Sequence, residues 1–136
     1  MQGPGAGARV SADAERANRV ILVIEDERDL RESFQDVLEL EGYRVFLAEN
    51  GLRALEALPG LPRPAVIMLD LMMPVMNGFE FLAELRRGTH HELPVIVISA
   101  FADRAAGLDV EAVLEKPFRL AELYQTLGRV ERAVGR

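Results

Sequence analysis

The chain has 136 residues, 49% of them hydrophobic, enough for one domain with a buried core. Its formal net charge of −6 leaves no basic excess for gripping a phosphate backbone, and the absence of cysteine excludes disulfides, thiolate zinc sites and a cysteine nucleophile. No apolar run approaches bilayer-spanning length and no hydrophobic signal segment opens the chain, which points to a cytoplasmic protein with no membrane contact.

Residues 1–18 carry Gly3, Pro4, Gly5 and Gly7 with little periodicity, and are expected to be a disordered leader to a single domain over residues 19–136. Their Gly-x-Gly precedes a strand instead of following one, which argues against a dinucleotide loop. Val20-Ile21-Leu22-Val23-Ile24 is a continuous apolar run that stops abruptly at Glu25-Asp26-Glu27, as a strand buried on both faces of a parallel sheet would. Leu30, Phe34, Val37 and Leu38 then follow helical spacing until Gly42. Tyr43 to Leu47 reads as a second strand and Gly51 to Leu58 as a short helix. Pro59, Pro62 and Pro64 mark a loop, and Ala65 to Leu69 is a third strand ending at Asp70. A loop with Pro74 and Gly78 leads to a helix over Phe79 to Arg86, with Phe79, Leu82 and Leu85 turned inward. Val95 to Ile98 is a fourth strand ending at Ser99, and Ala112 to Leu114 a short fifth strand ending near Lys116. Leu120, Leu123, Leu127, Val130 and Val134 give a final amphipathic helix. Their heptad-like spacing is first of all core packing, and a homodimer through this helix is the alternative that the spacing also allows. The mild basic cluster Arg129, Arg132 and Arg136 suits the solvated end of that helix. Strands alternating with helices predict an α/β domain with a parallel sheet.

In such sheets ligands bind beyond the carboxyl ends of the strands. Here those ends carry Glu25-Asp26, Asp70, Ser99 and Lys116: three carboxylates, a hydroxyl and an ammonium. Each close pair of carboxylates repels by roughly 4 kcal/mol at an effective dielectric of 20, so a cation or a proton has to offset the crowding. Magnesium suits an all-oxygen donor set, and a carboxylate beside it can attack a phosphoryl group while Lys116 and Ser99 hold the phosphoryl oxygens. Taken singly, Glu25-Asp26-Glu27 would be a helix cap, Asp70 a turn residue, Lys116 a surface lysine and Ser99 a core hydroxyl; only the set carries the chemistry. His90 and His91 lie in a loop and lack the spacing of a metal pair. Met68, Met72, Met73 and Met76 read as adaptable packing.

The stretches Ile21 to Glu27, Leu69 to Gly78, Val97 to Ala100 and Leu114 to Phe118 resemble the receiver domain of bacterial two-component response regulators, and the similarity runs from Val20 to Val134. The resemblance implies a five-stranded parallel sheet in the flavodoxin-like (CheY-like) order 2-1-3-4-5 with helices on both faces. It implies that Asp70 is the phosphoacceptor and that Asp26 and Asp70 bind Mg2+ directly, Glu25 through water, and Met72 through its backbone carbonyl. Ser99 would be the switch hydroxyl, Lys116 the phosphate-binding lysine, and Lys116–Pro117 a cis peptide. The implied donor is a histidine kinase or histidine phosphotransfer protein. The implied output is an unidentified downstream protein, contacted in trans because no output domain follows the last helix, with no nucleic acid. Catalysis would be limited to the chain's own phosphotransfer and autodephosphorylation. The chain would be a stand-alone switch, a receiver from a larger regulator or hybrid kinase, or a phosphorylation-independent module that keeps the fold. An aspartyl phosphatase would need an acid two residues after Asp70, where this chain has Met72.

Two departures from that pattern stand out. The aromatic that receivers often carry three residues before the lysine is Val113 here, and the stretch from Ser99 to Lys116 is short, so the fourth helix should be reduced or lost. Met72 and Phe101 fall where, by the resemblance, side chains admit or exclude attacking water, and their bulk predicts a long-lived phosphorylated form.

Overall fold

A computed structural model describes residues 19–134; the leader expected over residues 1–18 and Arg136 lie outside the described residues. Five parallel strands, β1 (Val20–Ile24), β2 (Arg44–Ala48), β3 (Pro64–Asp70), β4 (Val95–Ser99) and β5 (Ala112–Glu115), form one sheet in the order β2-β1-β3-β4-β5. Four α-helices pack around it: α1 (Arg28–Leu40), α2 (Gly51–Ala57), α3 (Gly78–Arg87) and α4 (Leu120–Val134). This is the expected order.

The central strands are apolar on both sides because both sides are covered. Leu22, Ile24, Ile67, Leu69, Val95 and Val97 face α2 and α3, meeting Ala54, Phe81, Leu82 and Leu85. Ile21, Val23, Val66, Met68, Ile96 and Ile98 face α1 and α4, meeting Phe34, Leu38, Leu123, Leu127 and Val130. Each such side chain contributes roughly 1.5–3 kcal/mol by leaving water. Leu123, Leu127 and Val130 are thus part of the core, which accounts for the heptad-like spacing of the last helix within the chain.

One detail differs from the sequence reading. In α3 it is Phe81, not Phe79, that is fully buried; Phe79 is partly covered. The inward row is Gly78, Phe81, Leu82 and Leu85, and its first member has no side chain to reveal it. Between β4 and β5 the expected shortening is complete: a single 3₁₀ turn, Ala102–Ala105, replaces the helix. Ala105, Leu108 and Val110 cover the sheet in its place. Arg86 fastens this segment. It donates to the carbonyls of His91 (2.8 Å), Leu93 (2.7 Å) and Asp109 (2.7 Å) and pairs with the Asp109 carboxylate at 3.3 Å.

Candidate functional site

Strand register places the site. Ile24 of β1 is level with Leu69 of β3, so Glu25, the next residue, comes out beside Asp70. Asp70 is level with Ile98, and Ile98 with Leu114. Side chains alternate along a strand. Counting by twos, Glu25 follows Ile21 and Val23, Asp70 follows Val66 and Met68, and Lys116 follows Ala112 and Leu114, all on the α1/α4 face. Three elements therefore deliver two acids and a lysine to one point.

The distances agree. Lys116 Nζ donates to Glu25 Oε1 at 2.8 Å and lies 3.9 Å from Asp70 Oδ2. Carboxylate oxygens of Glu25, Asp26 and Asp70 lie within 4.8 Å of one another. Glu25 is 1% exposed and Asp70 5%, whereas Asp26 is open to solvent. The Glu27 amide donates to Glu25 Oε2 at 3.1 Å, so the acidic run does act at a helix start, though through Glu25 and with no side-chain cap from Glu27 itself. Asp70 Oδ1 accepts a long bond, 3.4 Å, from the Met72 amide, which brings the Met72 peptide beside the carboxylate. Lys116–Pro117 is cis, as the resemblance implied.

Ser99 has the opposite parity, in line with Val95 and Val97. It is fully buried, its hydroxyl accepts from the Phe101 amide at 2.9 Å, and it makes no hydrogen bond to Asp70. Its carbonyl accepts from the Lys116 amide at 2.9 Å, tying it to the lysine through the backbone. Val113 is partly exposed beside Val97, where an aromatic was absent from the sequence. His90 and His91 precede β4 and so lie at the opposite, amino edge of the sheet.

Burial pushes the Glu25 carboxyl up to about 7, against the pull of the Lys116 ammonium, and burial likewise raises Asp70. Without a cation the site thus favours holding a proton. Three converging hard oxygen donors, one of them solvent-facing, fit a small divalent ion that would take the proton's place.

Residues 21–128 match the family model described as the response regulator receiver domain. The chain belongs to this family. It is accordingly a phosphoacceptor domain of two-component signalling. The receiver is 44% identical over 108 residues to the response regulator MprA of Mycobacterium tuberculosis, with 76% of this chain and 46% of that protein covered. The chain thus spans about half the length of the curated relatives it matches. Among solved structures it is similar to the response regulator TrrA of Thermotoga maritima in complex with Mg2+ and BeF, at 28% identity and TM-score 0.74, covering 82% of this chain and 98% of that one. It is also similar to the receiver domain of a sensor histidine kinase from Pseudomonas aeruginosa with a magnesium ion coordinated in its active site cleft, at 29% identity and TM-score 0.78, covering 84% and 98%.

The fold adds residues to the receiver site that sequence reading did not single out. Arg31 Nη1 bonds the carbonyls of Glu25 (2.7 Å) and Asp26 (3.1 Å), fixing the backbone that presents both acids. Gly78 sits against the end of β3: a Cβ there would lie 2.4 Å from the Asp70 carbonyl oxygen and 2.7 Å from Leu71 Cα. An apolar cleft of about 660 Å³ opens beside Lys116, lined by Leu30, Phe34 and Val37 of α1 and by Pro117, Phe118 and Leu123. Among the described residues, no helix is long and apolar enough to cross a membrane.

Proposed function

We propose that Asp70 of this receiver accepts a phosphoryl group from the phosphohistidine of a kinase or histidine phosphotransfer protein, and that the modified surface is read by another protein in the cytoplasm. The convergence of Glu25, Asp26 and Asp70 with Lys116 within hydrogen-bonding reach carries this reading. An Asp70 oxygen attacks phosphorus in line, the P–N bond breaks, and the donor imidazole leaves with the electron pair. Lys116, poised between Glu25 and Asp70, moves toward the new phosphoryl oxygens, and Ser99 gives up the Phe101 amide to bond them. Asp26 and Asp70 would hold Mg2+, with Glu25 through water and the Met72 carbonyl as a further ligand. When bound, the ion neutralises carboxylate and phosphoryl charge.

The aspartyl phosphate carries about −1.5 to −2 charges in place of the single charge of the carboxylate it consumes, and this added charge and bulk are enough to shift a two-state surface. The apolar cleft shares Lys116 with the site and offers a protein donor a seat that a small donor would not need. The chain turns over nothing beyond its own aspartyl phosphate, and its charge of −6 favours a protein over a nucleic acid as the reader.

The test is incubation of the chain with acetyl phosphate and Mg2+, followed by intact mass. One added phosphoryl group is expected, lost in Asp70→Asn and in chelator. A second reading, a phosphorylation-independent interaction module, is favoured by one feature: a single turn replaces the helix between β4 and β5, and Val113 stands on this altered face. A chain that gains no mass from either a small donor or a kinase panel would support it.

A further inference from the structure

We propose that Arg104 is a positioning residue, strapping Phe101 to Met72 across the mouth of the Asp70 site and slowing loss of a phosphoryl group from Asp70. The inference rests on the reading of Asp70 as acceptor. Phe101 and Met72 stand on the loops after β4 and β3, two residues beyond Ser99 and Asp70, and are 47% and 46% exposed. The Arg104 guanidinium lies 4.8 Å from the centroid of the Phe101 ring, and its Nη1 is 3.7 Å from Met72 Sδ. The Arg104 amide also donates to the Phe101 carbonyl at 3.0 Å, and among the described residues its side chain forms no ion pair, although Asp103 precedes it in sequence.

The local fold explains the arrangement. In a 3₁₀ turn residues three apart eclipse one another, so the turn Ala102–Ala105 stacks Arg104 over Phe101, and buried Ala105 pins the turn to the core. A planar, weakly hydrated guanidinium can lie on an aromatic face and still reach a thioether, which an ammonium does poorly. Before phosphorylation both ends of the strap also touch the site, since the Phe101 amide donates to Ser99 Oγ and the Met72 amide to Asp70 Oδ1; the Arg104 contacts do not depend on the Ser99 bond that phosphorylation releases. An ordinary helix between β4 and β5 would space the side chains differently, so the strap is tied to the shortened connection.

Hydrolysis of the aspartyl phosphate needs water in line with the bond to Asp70. The water oxygen attacks phosphorus and the bond to the Asp70 oxygen breaks, its electron pair returning to the carboxylate. Inorganic phosphate leaves with the water's protons shared between phosphate and solvent. Two apolar side chains held together by Arg104 narrow that approach. A pair left to swing independently opens it.

The experiment loads the full chain with acetyl phosphate and Mg2+, removes the donor and follows phosphoryl loss by intact mass. Arg104→Ala is expected to accelerate loss about three- to tenfold and Arg104→Lys by less. In a Phe101→Ala background, Arg104→Ala should add nothing, because the arginine acts through the ring. In the unphosphorylated protein, the Met72 methyl resonance should shift on Arg104→Ala while core methyls stay in place. A wild-type decay rate in Arg104→Ala, an unmoved Met72 methyl, or equal acceleration with and without Phe101 would each overturn the strap while leaving the acceptor reading intact. A wild-type chain that takes up no phosphoryl group would overturn both.

Discussion

Lys116 lies closer to Glu25 than to Asp70: its ammonium is 2.8 Å from Glu25 and 3.9 Å from Asp70. Glu25 is nonetheless so buried that its carboxyl titrates near 7 instead of 4.5. A group whose folded value is raised lends stability below its unfolded value and withdraws it as pH climbs to the folded value. The metal-free chain should therefore lose stability between pH 4.5 and about 7, on the order of 1–3 kcal/mol, with Asp70 acting in the same direction. Mg2+ should reverse the trend, because it binds the ionised acids. Urea denaturation in chelator and in Mg2+, at about pH 5 and about pH 8, checks this; the gain from Mg2+ should be larger at the higher pH. A metal-free stability that rises over this range would contradict it.

Gly78→Ala tests the backbone beneath Asp70. Its new methyl would press on the Asp70 carbonyl oxygen at 2.4 Å and Leu71 Cα at 2.7 Å, both backbone atoms that cannot rotate away. A loss of about 2–4 kcal/mol in denaturant is expected, together with slower phosphorylation of Asp70 as its strand end is pushed aside. Wild-type values for both would show that the loop yields freely.

The convergence of Glu25, Asp70 and Lys116 was legible because each follows an apolar strand by a fixed count, and a strand's alternation carries the side chain to a known face. The lost helix was legible as missing length between Ser99 and Lys116. Ser99 illustrates the limit: its strand end is visible in the sequence, but its bond to the Phe101 amide depends on how one loop turns. Arg31 and Arg104 were hidden for a related reason. Each folds a long side chain back along its own segment, the first onto carbonyls five and six residues behind it, the second onto a ring three behind it. Composition and periodicity do not report such reach.

Arg86 also belongs to this hidden class, and its removal is informative. It satisfies carbonyls from three residues and holds the segment that stands in for a helix. Arg86→Met keeps the aliphatic stem and deletes the donors, and should cost about 2–4 kcal/mol. Hydrogen exchange should show the loosening over residues 106–111 before the sheet opens. Uniform loosening of the whole domain would argue for a general packing role instead.

Val75 lies in the loop after Asp70 with φ of 67°, a region unfavourable for a β-branched residue, and its side chain is 73% exposed. Val75→Asn keeps a side chain that tolerates this backbone and loses little packing. Thermal unfolding should show a gain of about 0.5–1 kcal/mol. A destabilised variant would mean that Val75 makes a contact worth more than the strain.

Met72 governs the last expectation, the lifetime of the phosphorylated state. Its half-exposed thioether chain stands two residues beyond Asp70, whose Oδ1 its own amide touches, where the receiver pattern places a side chain that can meet attacking water. Met72→Asn replaces that apolar cover with an amide able to hold a water molecule by hydrogen bonds near the phosphorus, without altering the carboxylates or Lys116. Phosphoryl loss should quicken about three- to tenfold while the rate of uptake from acetyl phosphate stays within about twofold. The two rates separate a gate for water from general damage to the site, since a damaged site would slow uptake as well. Loss at the wild-type rate or slower in Met72→Asn would mean that water reaches the phosphorus by a path the methionine does not cover.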